Sequence, residues 1–429
     1  MAESSVKNSP QNGTENAHQN AAQSGSECAP QNGTQNAAQN ADDDLIALIP
    51  RLPKVLLHDH LDGGLRPTTV LELAEKVGHP LPASTAESLG EWFYQAADSG
   101  TLERYLETFV HTCAVMQTEE GLERVAREAI VDLAADGVLY TEQRWAPEQH
   151  QESGLTLEAA VEAVQRGIDA GIAEAAVAGN TIQAGQILCA MRHADRWQEV
   201  AELAVAYRDR GVVGFDLAGG EIGFPVTRHA DVFPYLNQEE FPRTIHAGEG
   251  DGVESIKQAI QVGGAERIGH GVRIVDDIRL GPHEAAHETA SDGLRETTSG
   301  DDLRRIESDR TCLGRTAQWV LDHQIPLEVA PMSNLQTHAA GATSIADHPI
   351  TALRDLGFAV TINTDNRLMS RTSMSNEFCL LATEAGWTLN DFFDATITAA
   401  WSAFLPFDQR QNLADSIMSI YHHLQGAPQ

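Results

Sequence analysis

Short apolar runs alternate with amphipathic stretches along most of this chain. From Leu45 onward, runs rich in Val, Ile and Leu predict strands at 54–60, 138–145, 181–189, 212–218, 243–248, 267–273, 326–331 and 359–364. Patterns of helical length lie between them, as at 155–178 and 252–261. This alternation implies parallel pairing, because consecutive parallel strands need a crossover connection. Eight such units predict one α/β domain over residues 42–429, folded as a TIM-type (β/α)8 barrel.

Two segments interrupt this alternation. Residues 68–134 follow the first predicted strand and are mostly helical in pattern. A helical insertion at this point could cap a pocket at the barrel mouth or pack on the barrel's flank, and the sequence leaves both open. Residues 281–311 are polar and acidic with few apolar anchors, which predicts a solvent-exposed excursion rather than a further domain.

The amino-terminal segment, residues 1–41, differs in composition from the rest of the chain. It is rich in Gln, Asn, Ala, Ser and Gly and repeats itself, first as QNGTENA and then as QNGTQNA. With almost no large apolar side chains, it cannot offset the entropy lost on ordering. We therefore predict a disordered low-complexity tail.

Charge and cysteine content narrow the classes of partner and compartment. The formal net charge is −33, and such a field repels nucleic-acid polymers and anionic membranes. No apolar run is long enough to cross a bilayer, and no apolar segment follows Met1 as in a signal peptide. The five cysteines lie far apart without a C-x-x-C pair, which predicts free thiols in the cytoplasm. The oligomeric state and any protein partners are not predictable from these features.

Polar residues interrupt the apolar runs where several of the predicted strands end. The first run, VLLHDHLDGG, contains His58 and His60, whose side chains share one side of a strand. Later runs contribute His246, His270 and Asp365. In a barrel of this type, strand ends gather at one face, so these groups should converge. The chain has 17 histidines, and any one of them alone is more often structural, but the shared placement predicts a zinc site of imidazoles and a carboxylate.

Glu249 follows His246 by three residues, in the stretch HAGEG. It could be an ordinary acidic residue in the first turn of the following helix, pointing to solvent. Alternatively, it faces the same cavity as the metal. A carboxyl group in a pocket poor in water has a raised pKa and can act as a general acid near neutral pH.

Several motifs together resemble those of one family. HDHLDGGLRP, GFDLAGGE, HAGEG, RIGHGVRI and TINTDN are similar, in order and spacing, to the motifs of adenosine deaminases, which belong to the amidohydrolase superfamily of metal-dependent barrels. The resemblance covers about residues 50–420, without the 281–311 excursion. It implies hydrolytic deamination of adenosine and 2′-deoxyadenosine to inosine and 2′-deoxyinosine, with release of ammonia.

The resemblance also implies a role for each matching residue. One zinc ion would be held by His58, His60, His246 and Asp365. Glu249 would donate a proton to N1 of the purine, while His270 would orient and stabilise the attacking hydroxide. The nucleoside would meet Asp62 and His60 at the ribose, and the backbone N–H of Gly219 at N3 of the base.

One position departs from the family pattern and leaves the identity of the purine substrate undecided. After Asp365 the family usually has a second acid facing N7 of the base, whereas this chain has Asn366. An amide already carries donor hydrogens for N7, so the contact could survive with an altered base preference. Other 6-aminopurine substrates, such as adenine or aminodeoxyfutalosine, are therefore alternatives, as is a non-catalytic zinc-stabilised barrel that binds nucleosides. VVGFDLAGGE contains no lysine of the kind that bridges two metals in related hydrolases, which favours one ion per chain.

Overall fold

The computed structural model describes residues 44–280 and 311–426. Apolar runs form its strands, which are β1 (Lys54–His60), β2 (Val138–Trp145), β3 (Gln183–Met191), β4 (Val212–Ala218), β5 (Thr244–Ala247), β6 (Arg267–His270), β7 (Ile278–Leu280), β8 (Thr311–Leu313), β9 (Leu327–Val329) and β10 (Val360–Ile362). Nearly every residue of the long strands β1 and β2 is buried. Such continuous burial is typical of parallel strands with helices packed outside them.

The strands close into a barrel. Two four-stranded parallel sheets have the orders β1-β2-β3-β4 and β10-β9-β6-β5. A parallel bridge between Phe215 and Arg243 joins β4 to the start of β5, and another between Asp59 and Asp365 joins β1 to the end of β10. Within the described part of the chain, the barrel therefore has eight parallel strands, and the predicted (β/α)8 fold is confirmed. Beside the second bridge, Asn363 Oδ1 accepts hydrogen bonds from the backbone N–H groups of Leu57 and His58, at 3.1 and 3.0 Å.

Most predicted strand positions are confirmed, with errors at the ends. The bounds of β1, β2 and β4 match the prediction, while β3 lies two residues later than predicted. The prediction that the sixth barrel strand runs to 273 was wrong. His270 and Gly271 both have positive φ, 62° and 70°, which turns the chain out of the sheet and into a 3-10 helix at Val272–Asp277. The antiparallel pair β7 and β8 was not predicted, because each strand has only three residues.

Helices follow the strands around the outside of the barrel. The α-helices with defined bounds are Pro67–Val77, Ala86–Ala97, Leu102–Leu106, Phe109–Val115, Glu119–Ala135, Leu157–Val177, Trp197–Ala206, Val232–Gln238, Val253–Gln261, Arg315–Asp322, Pro331–Gln336, Pro349–Asp355, Met374–Ala385, Leu389–Ser402 and Phe407–Gly426. Several begin at a threonine cap. Thr118 accepts a hydrogen bond from the backbone N–H of Gly121, and Thr156 accepts one from Ala159.

The helical insertion after β1 both packs on the barrel's flank and lines a cavity at the barrel mouth, the two alternatives that the sequence left open. Its last helix, Glu119–Ala135, packs on Leu157–Val177, where glycines allow close approach. A Cβ at Gly167 would lie 2.2 Å from a backbone oxygen of Glu123, so the helices could not approach this closely with a larger residue there. An earlier part of the insertion contributes Leu106 and Phe109 to the wall of a cavity at the barrel mouth.

Some predictions concern residues outside the described ranges. These are the disordered tail at 1–41 and, apart from Thr311, the polar excursion at 281–311. The assignment of all of 42–429 to one domain stays a prediction as well. For residues 44–280 and 311–426, no helix has the combined length and apolar character that crossing a bilayer requires.

Candidate metal centre and active site

The four predicted metal ligands converge at one end of the barrel. His58 and His60 lie at the end of β1, His246 lies in β5, and Asp365 follows β10. The Nε2 atoms of His60 and His246 are 3.1 Å apart, and Asp365 Oδ1 is 3.3 Å from His58 Nε2 and 3.4 Å from His60 Nε2. One donor atom from each of the four lies within 4.8 Å of the others. Barrel closure thus brings together residues from opposite ends of the sequence.

The chemistry of these donors fits a divalent metal ion. Burial lowers the pKa of His60 to about 3 and lowers the pKa of His246, so both rings offer a neutral nitrogen lone pair. Burial also acts to lower the pKa of His58, but neighbouring carboxylates outweigh it and raise that pKa. The pKa of Asp365 lies well below its usual range, because the surrounding histidines outweigh the effect of burial. Three imidazoles and an ionised carboxylate form a ligand set that zinc favours.

Two buried carboxylates lie next to the outer nitrogens of two of the three ligand imidazoles. Glu328 in β9 lies 3.2 Å from His58 Nδ1, and Asp216 in β4 lies 3.0 Å from His246 Nδ1. A carboxylate at Nδ1 fixes a proton there and leaves Nε2 free to bind a metal. Arg144 in β2 bridges both carboxylates, at 3.0 Å from Asp216 Oδ2 and 2.7 Å from Glu328 Oε2.

This ionic network continues deeper into the barrel. Arg267 lies 2.6 Å from Glu328 Oε1 and 2.5 Å from Glu142 Oε2, and all three side chains are buried. Together with Arg144 and Asp216, the network contains three carboxylates and two guanidinium groups, which leaves one net negative charge beneath the candidate metal site. Ionised groups this deeply buried require close partners, and each has at least one.

Two residues of the site have a strained backbone. His270 has a φ of 62° and Asp365 a φ of 55°, in the left-handed region that non-glycine residues rarely adopt. Asp365 is held there by hydrogen bonds from its N–H to the His58 carbonyl, 2.9 Å, and from the His60 N–H to its own carbonyl, 2.7 Å. Ser333 Oγ donates to Asp365 Oδ2 at 2.6 Å. The surrounding structure thus imposes the orientation of the carboxylate, as is common at functional sites.

Glu249 and His270 form a second group beside the candidate metal ligands. Glu249 Oε2 lies 3.4 Å from His270 Nε2, and one donor atom each from Glu249, His270 and Asp365 lies within 4.8 Å of the others. Burial, reinforced by the charges of Asp365 and Glu221, raises the pKa of Glu249 well above its usual value. Burial lowers the pKa of His270, which keeps its ring neutral. The carboxyl group therefore faces the interior and not solvent, and it can carry a proton at neutral pH.

Glu221 holds the segment that carries Glu249. Its carboxylate accepts hydrogen bonds from the backbone N–H groups of Gly248, Glu249 and Gly250, each 2.9 Å long, and from Ser255 Oγ at 2.6 Å. A single buried acid thereby satisfies three consecutive backbone donors and fixes the turn after β5. Sequence reasoning missed this role, although Glu221 ends the GFDLAGGE motif.

A cavity of about 230 Å³ opens beside the ligand cluster. The residues that line it are His60, Asp62, Leu106, Phe109, Ala146, Gln149, Cys189, Met191, His193, Ala218 and Gly219. Of the predicted substrate contacts, His60, Asp62 and Gly219 thus form part of its wall. Gly219 has a φ of 96°, a backbone conformation that favours glycine.

Asn366 is the predicted substrate contact that does not line this cavity. Its side chain is buried against Gly63, where a Cβ would lie 1.8 Å from Asn366 Oδ1. Within the described part of the chain, Asn366 Oδ1 has no hydrogen-bond partner. The structure therefore places Asn366 next to Asp365, but it does not bring the amide to the cavity wall.

The chain is similar to known proteins along most of its length. A family model described as adenosine deaminase matches residues 53–420. Adenosine deaminase 1 of Streptomyces coelicolor is 54% identical over 371 residues, which cover 86% of this chain and 87% of that protein.

Solved structures with the same fold are more distant in sequence. An adenine deaminase from Arthrobacter aurescens is 23% identical with a TM-score of 0.69, and the match covers 86% of this chain and 98% of that one. An amidohydrolase from Burkholderia ambifaria with bound zinc is 21% identical with a TM-score of 0.68, covering 89% of this chain and 95% of that one. At these identities the similarity shows a shared fold and nothing more.

Proposed function

Because the chain belongs to the adenosine deaminase family, it is a hydrolase, and we propose that it deaminates adenosine and 2′-deoxyadenosine. The products are inosine and 2′-deoxyinosine, with ammonia released. The observation that carries this proposal is the convergence of His58, His60, His246 and Asp365 beside the buried pair Glu249 and His270. The four residues supply metal ligands. Glu249 and His270 are not required as ligands, and their chemistry is that of proton transfer.

A zinc ion, one per chain, is the proposed cofactor. The residues that would hold it are His58, His60, His246 and Asp365, and the carboxylates at the outer nitrogens of His58 and His246 support that choice. When bound, such an ion lowers the pKa of a water molecule and so supplies a nucleophile at neutral pH. The net negative charge of the network beneath the site favours a cation at this position.

The chain's own residues account for the proton transfers. Attack of water on C6 of the purine drives an electron pair onto N1, and Glu249 in its protonated form would donate the proton that N1 receives. The carboxylate so formed can accept a proton from the attacking water and return it to the departing amino group as ammonia leaves. His270, neutral and held by a hydrogen bond to Asn334 at 3.0 Å, would orient the attacking water.

The proposed substrate contacts follow from the cavity wall. Asp62 and His60 would bind ribose hydroxyls, and the backbone N–H of Gly219 would donate to N3 of the base. Asn366, next in sequence to Asp365, would donate from its amide to N7 after a change in its side-chain position, since it now packs against Gly63. Asp62 favours a substrate with a sugar over free adenine.

The proposed partner is a small purine nucleoside, and the proposed compartment is the cytoplasm. The cavity of about 230 Å³ suits a small molecule and not a polymer. Among residues 44–280 and 311–426, the cysteines at 113, 189, 312 and 379 are free thiols, in keeping with a reducing environment. Purine salvage is the metabolic role that this activity would serve.

Turnover of a substrate panel by the zinc-loaded protein tests the proposal. The panel contains adenosine, 2′-deoxyadenosine, adenine and aminodeoxyfutalosine, and ammonia release is measured for each. We expect the first two to react fastest. Faster turnover of adenine or aminodeoxyfutalosine would overturn the substrate assignment, and no turnover of any compound would indicate a non-catalytic, nucleoside-binding barrel.

A matched pair of variants tests the role of Glu249. Glu249→Gln should lower kcat by about 10²- to 10⁴-fold, because the amide cannot donate a carboxyl proton. Glu103→Gln removes an exposed acid near the same residue and should leave turnover unchanged. Equal turnover of Glu249→Gln and the parent protein would refute the proton-donor role.

A further inference from the structure

A second cluster of metal-ligating side chains lies at the edge of the cavity. It consists of Asp62, Cys113 and His150, and one ligand atom from each lies within 4.8 Å of the other two. His150 Nε2 is 3.8 Å from Asp62 Oδ2, which is longer than a hydrogen bond and a few tenths of an ångström longer than the roughly 3.4 Å between N and O ligands on one tetrahedral zinc ion. Cys113 and His150 play no part in the proposed deamination.

His150 is the unusual member of this cluster. Its side chain is fully buried, yet within the described residues neither ring nitrogen has a hydrogen-bond partner. Asp62 Oδ1 is likewise buried without a hydrogen-bond partner, although His60 Nδ1 lies 3.8 Å away. Buried polar groups in folded proteins are nearly always hydrogen-bonded, and an ion is one recognised reason for an exception.

Hydrogen bonds from Gln117 hold together the two segments that carry Cys113 and His150. Gln117 Nε2 donates to the carbonyls of Cys113 and Gln149, each at 2.8 Å, and Gln117 Oε1 accepts from the Glu152 N–H at 2.8 Å. These bonds tie the helix Phe109–Val115 to the 3-10 helix Pro147–His150. Asp62 is placed by a third short element, the 3-10 helix Leu61–Gly63 after β1.

We propose that Asp62, Cys113 and His150 form a second metal site, selective for thiophilic divalent cations such as Zn²⁺, Cd²⁺ and Co²⁺. One thiolate, one imidazole and one carboxylate make a ligand set typical of such cations and unlike the sets that Mg²⁺ or Ca²⁺ prefer. Gln149 Oε1 now accepts a hydrogen bond from Cys113 Sγ at 3.4 Å, and this bond breaks when the thiol proton leaves. This site offers three protein ligands, whereas His58, His60, His246 and Asp365 form a set of four, so we expect it to be the weaker site.

Occupation of this site has a consequence for the cavity. Asp62 belongs both to the cluster and to the cavity wall, so a cation bound there competes with a nucleoside for the same carboxylate. This consequence rests on the proposed function, whereas the metal site itself does not. An excess of divalent metal that fills the site at Asp62, Cys113 and His150 should therefore weaken nucleoside binding.

Cobalt is a suitable probe because the two sites differ in sulfur content. The protein, already loaded with one equivalent of Zn²⁺, is titrated with Co²⁺ while thiolate-to-cobalt charge-transfer absorption is recorded. The first site has no cysteine, so cobalt there gives no such band. We expect a band that saturates at one equivalent and that is absent in Cys113→Ser.

Two further variants make the result specific. His150→Gln keeps the thiol but loses a ligand, so it should need roughly tenfold or more cobalt to reach the same absorbance. Cys379→Ser alters a half-buried thiol outside the cluster and should keep the full band. No band in the parent protein, or a band that persists in Cys113→Ser, overturns the site, provided that thermal unfolding shows each variant to be folded.

Competition with the reaction product separates the two parts of the inference. Inosine added to the cobalt-bound protein should weaken the band, because the product and the cation share Asp62. A band that is insensitive to saturating inosine overturns the competition but not the metal site. Since neither measurement requires turnover, absence of deaminase activity would leave the test of the metal site intact.

Discussion

Replacing Asp216 with asparagine should weaken metal binding while leaving the protein folded. Asp216 Oδ2 lies 3.0 Å from His246 Nδ1 and keeps the ring proton on that nitrogen. When the NH2 group of the asparagine faces Nδ1, it donates to that nitrogen and favours the tautomer of His246 with its proton on Nε2. That atom faces the candidate metal site, at 3.1 Å from His60 Nε2, so the proton would occupy the position of the metal bond.

The expected size of the effect follows from these contacts. Loss of a partner that orients a metal ligand typically costs 10- to 100-fold in affinity. This corresponds to about 1.4–2.8 kcal/mol of binding free energy, at 1.4 kcal/mol for each factor of ten. Arg144 loses one ionic partner in the variant but keeps Glu328 at 2.7 Å and the Leu57 carbonyl at 2.6 Å. The free energy of unfolding of Asp216→Asn should therefore fall by less than the roughly 3–5 kcal/mol expected when a buried charge loses its partner altogether.

Chelator competition measures this affinity directly. The zinc-loaded parent and Asp216→Asn proteins are titrated with a chromophoric chelator, and the free energy of unfolding of each metal-free protein is measured in urea. Asp277→Asn is the matched control, because Asp277 caps the helix Arg315–Asp322 through Thr316 and Ala317, away from the ligands. Equal zinc affinity in Asp216→Asn and the parent protein would refute the assigned role of this carboxylate.

Three further results are expected. Thr337→Val removes the 3.0 Å hydrogen bond to Glu249 Oε1, which favours the ionised carboxylate, so the pKa of Glu249 should rise further. The alkaline limb of the plot of kcat against pH should then move to higher pH, and a shift to lower pH would contradict this reasoning. Arg267→Leu leaves Glu142 without its buried cation and should lower the free energy of unfolding in urea by about 3–5 kcal/mol. An unchanged urea midpoint would refute the stabilising role of this ion pair. Asn363→Ala removes the acceptor of two buried backbone N–H groups beside the barrel closure and should cost about 1–3 kcal/mol in the same assay; full stability would show that the two N–H groups find other acceptors.

The barrel was predictable because each of its strands is a short apolar run between helical patterns. The ends of the strands were less predictable, since they depend on single backbone conformations. At His270 the chain turns into the left-handed region, and nothing in the apolar pattern RIGHGVR indicates that the strand stops there. The pairing of β7 with β8 also depends on chain segments that are distant in sequence.

The residues that directly face the candidate metal were predictable for a related reason. Parallel strands bring their carboxyl ends to one face, so polar residues at those ends must meet. The supporting carboxylates Asp216 and Glu328 were not identified, although each interrupts an apolar strand in GFDLA or PLEVAP. Sequence alone does not specify which imidazole each carboxylate contacts, because each contact joins two different strands and depends on how those strands are arranged in the barrel. The position of Asn366 against Gly63 is a similar case, set by the fit between two turns.

The bridge between Asp59 and Asp365 places the candidate metal ligands on both sides of the line where the barrel closes. During synthesis, His58 and His60 leave the ribosome long before Asp365 has been translated. A nascent chain therefore cannot assemble the complete ligand set, and metal insertion must follow synthesis of nearly the whole barrel.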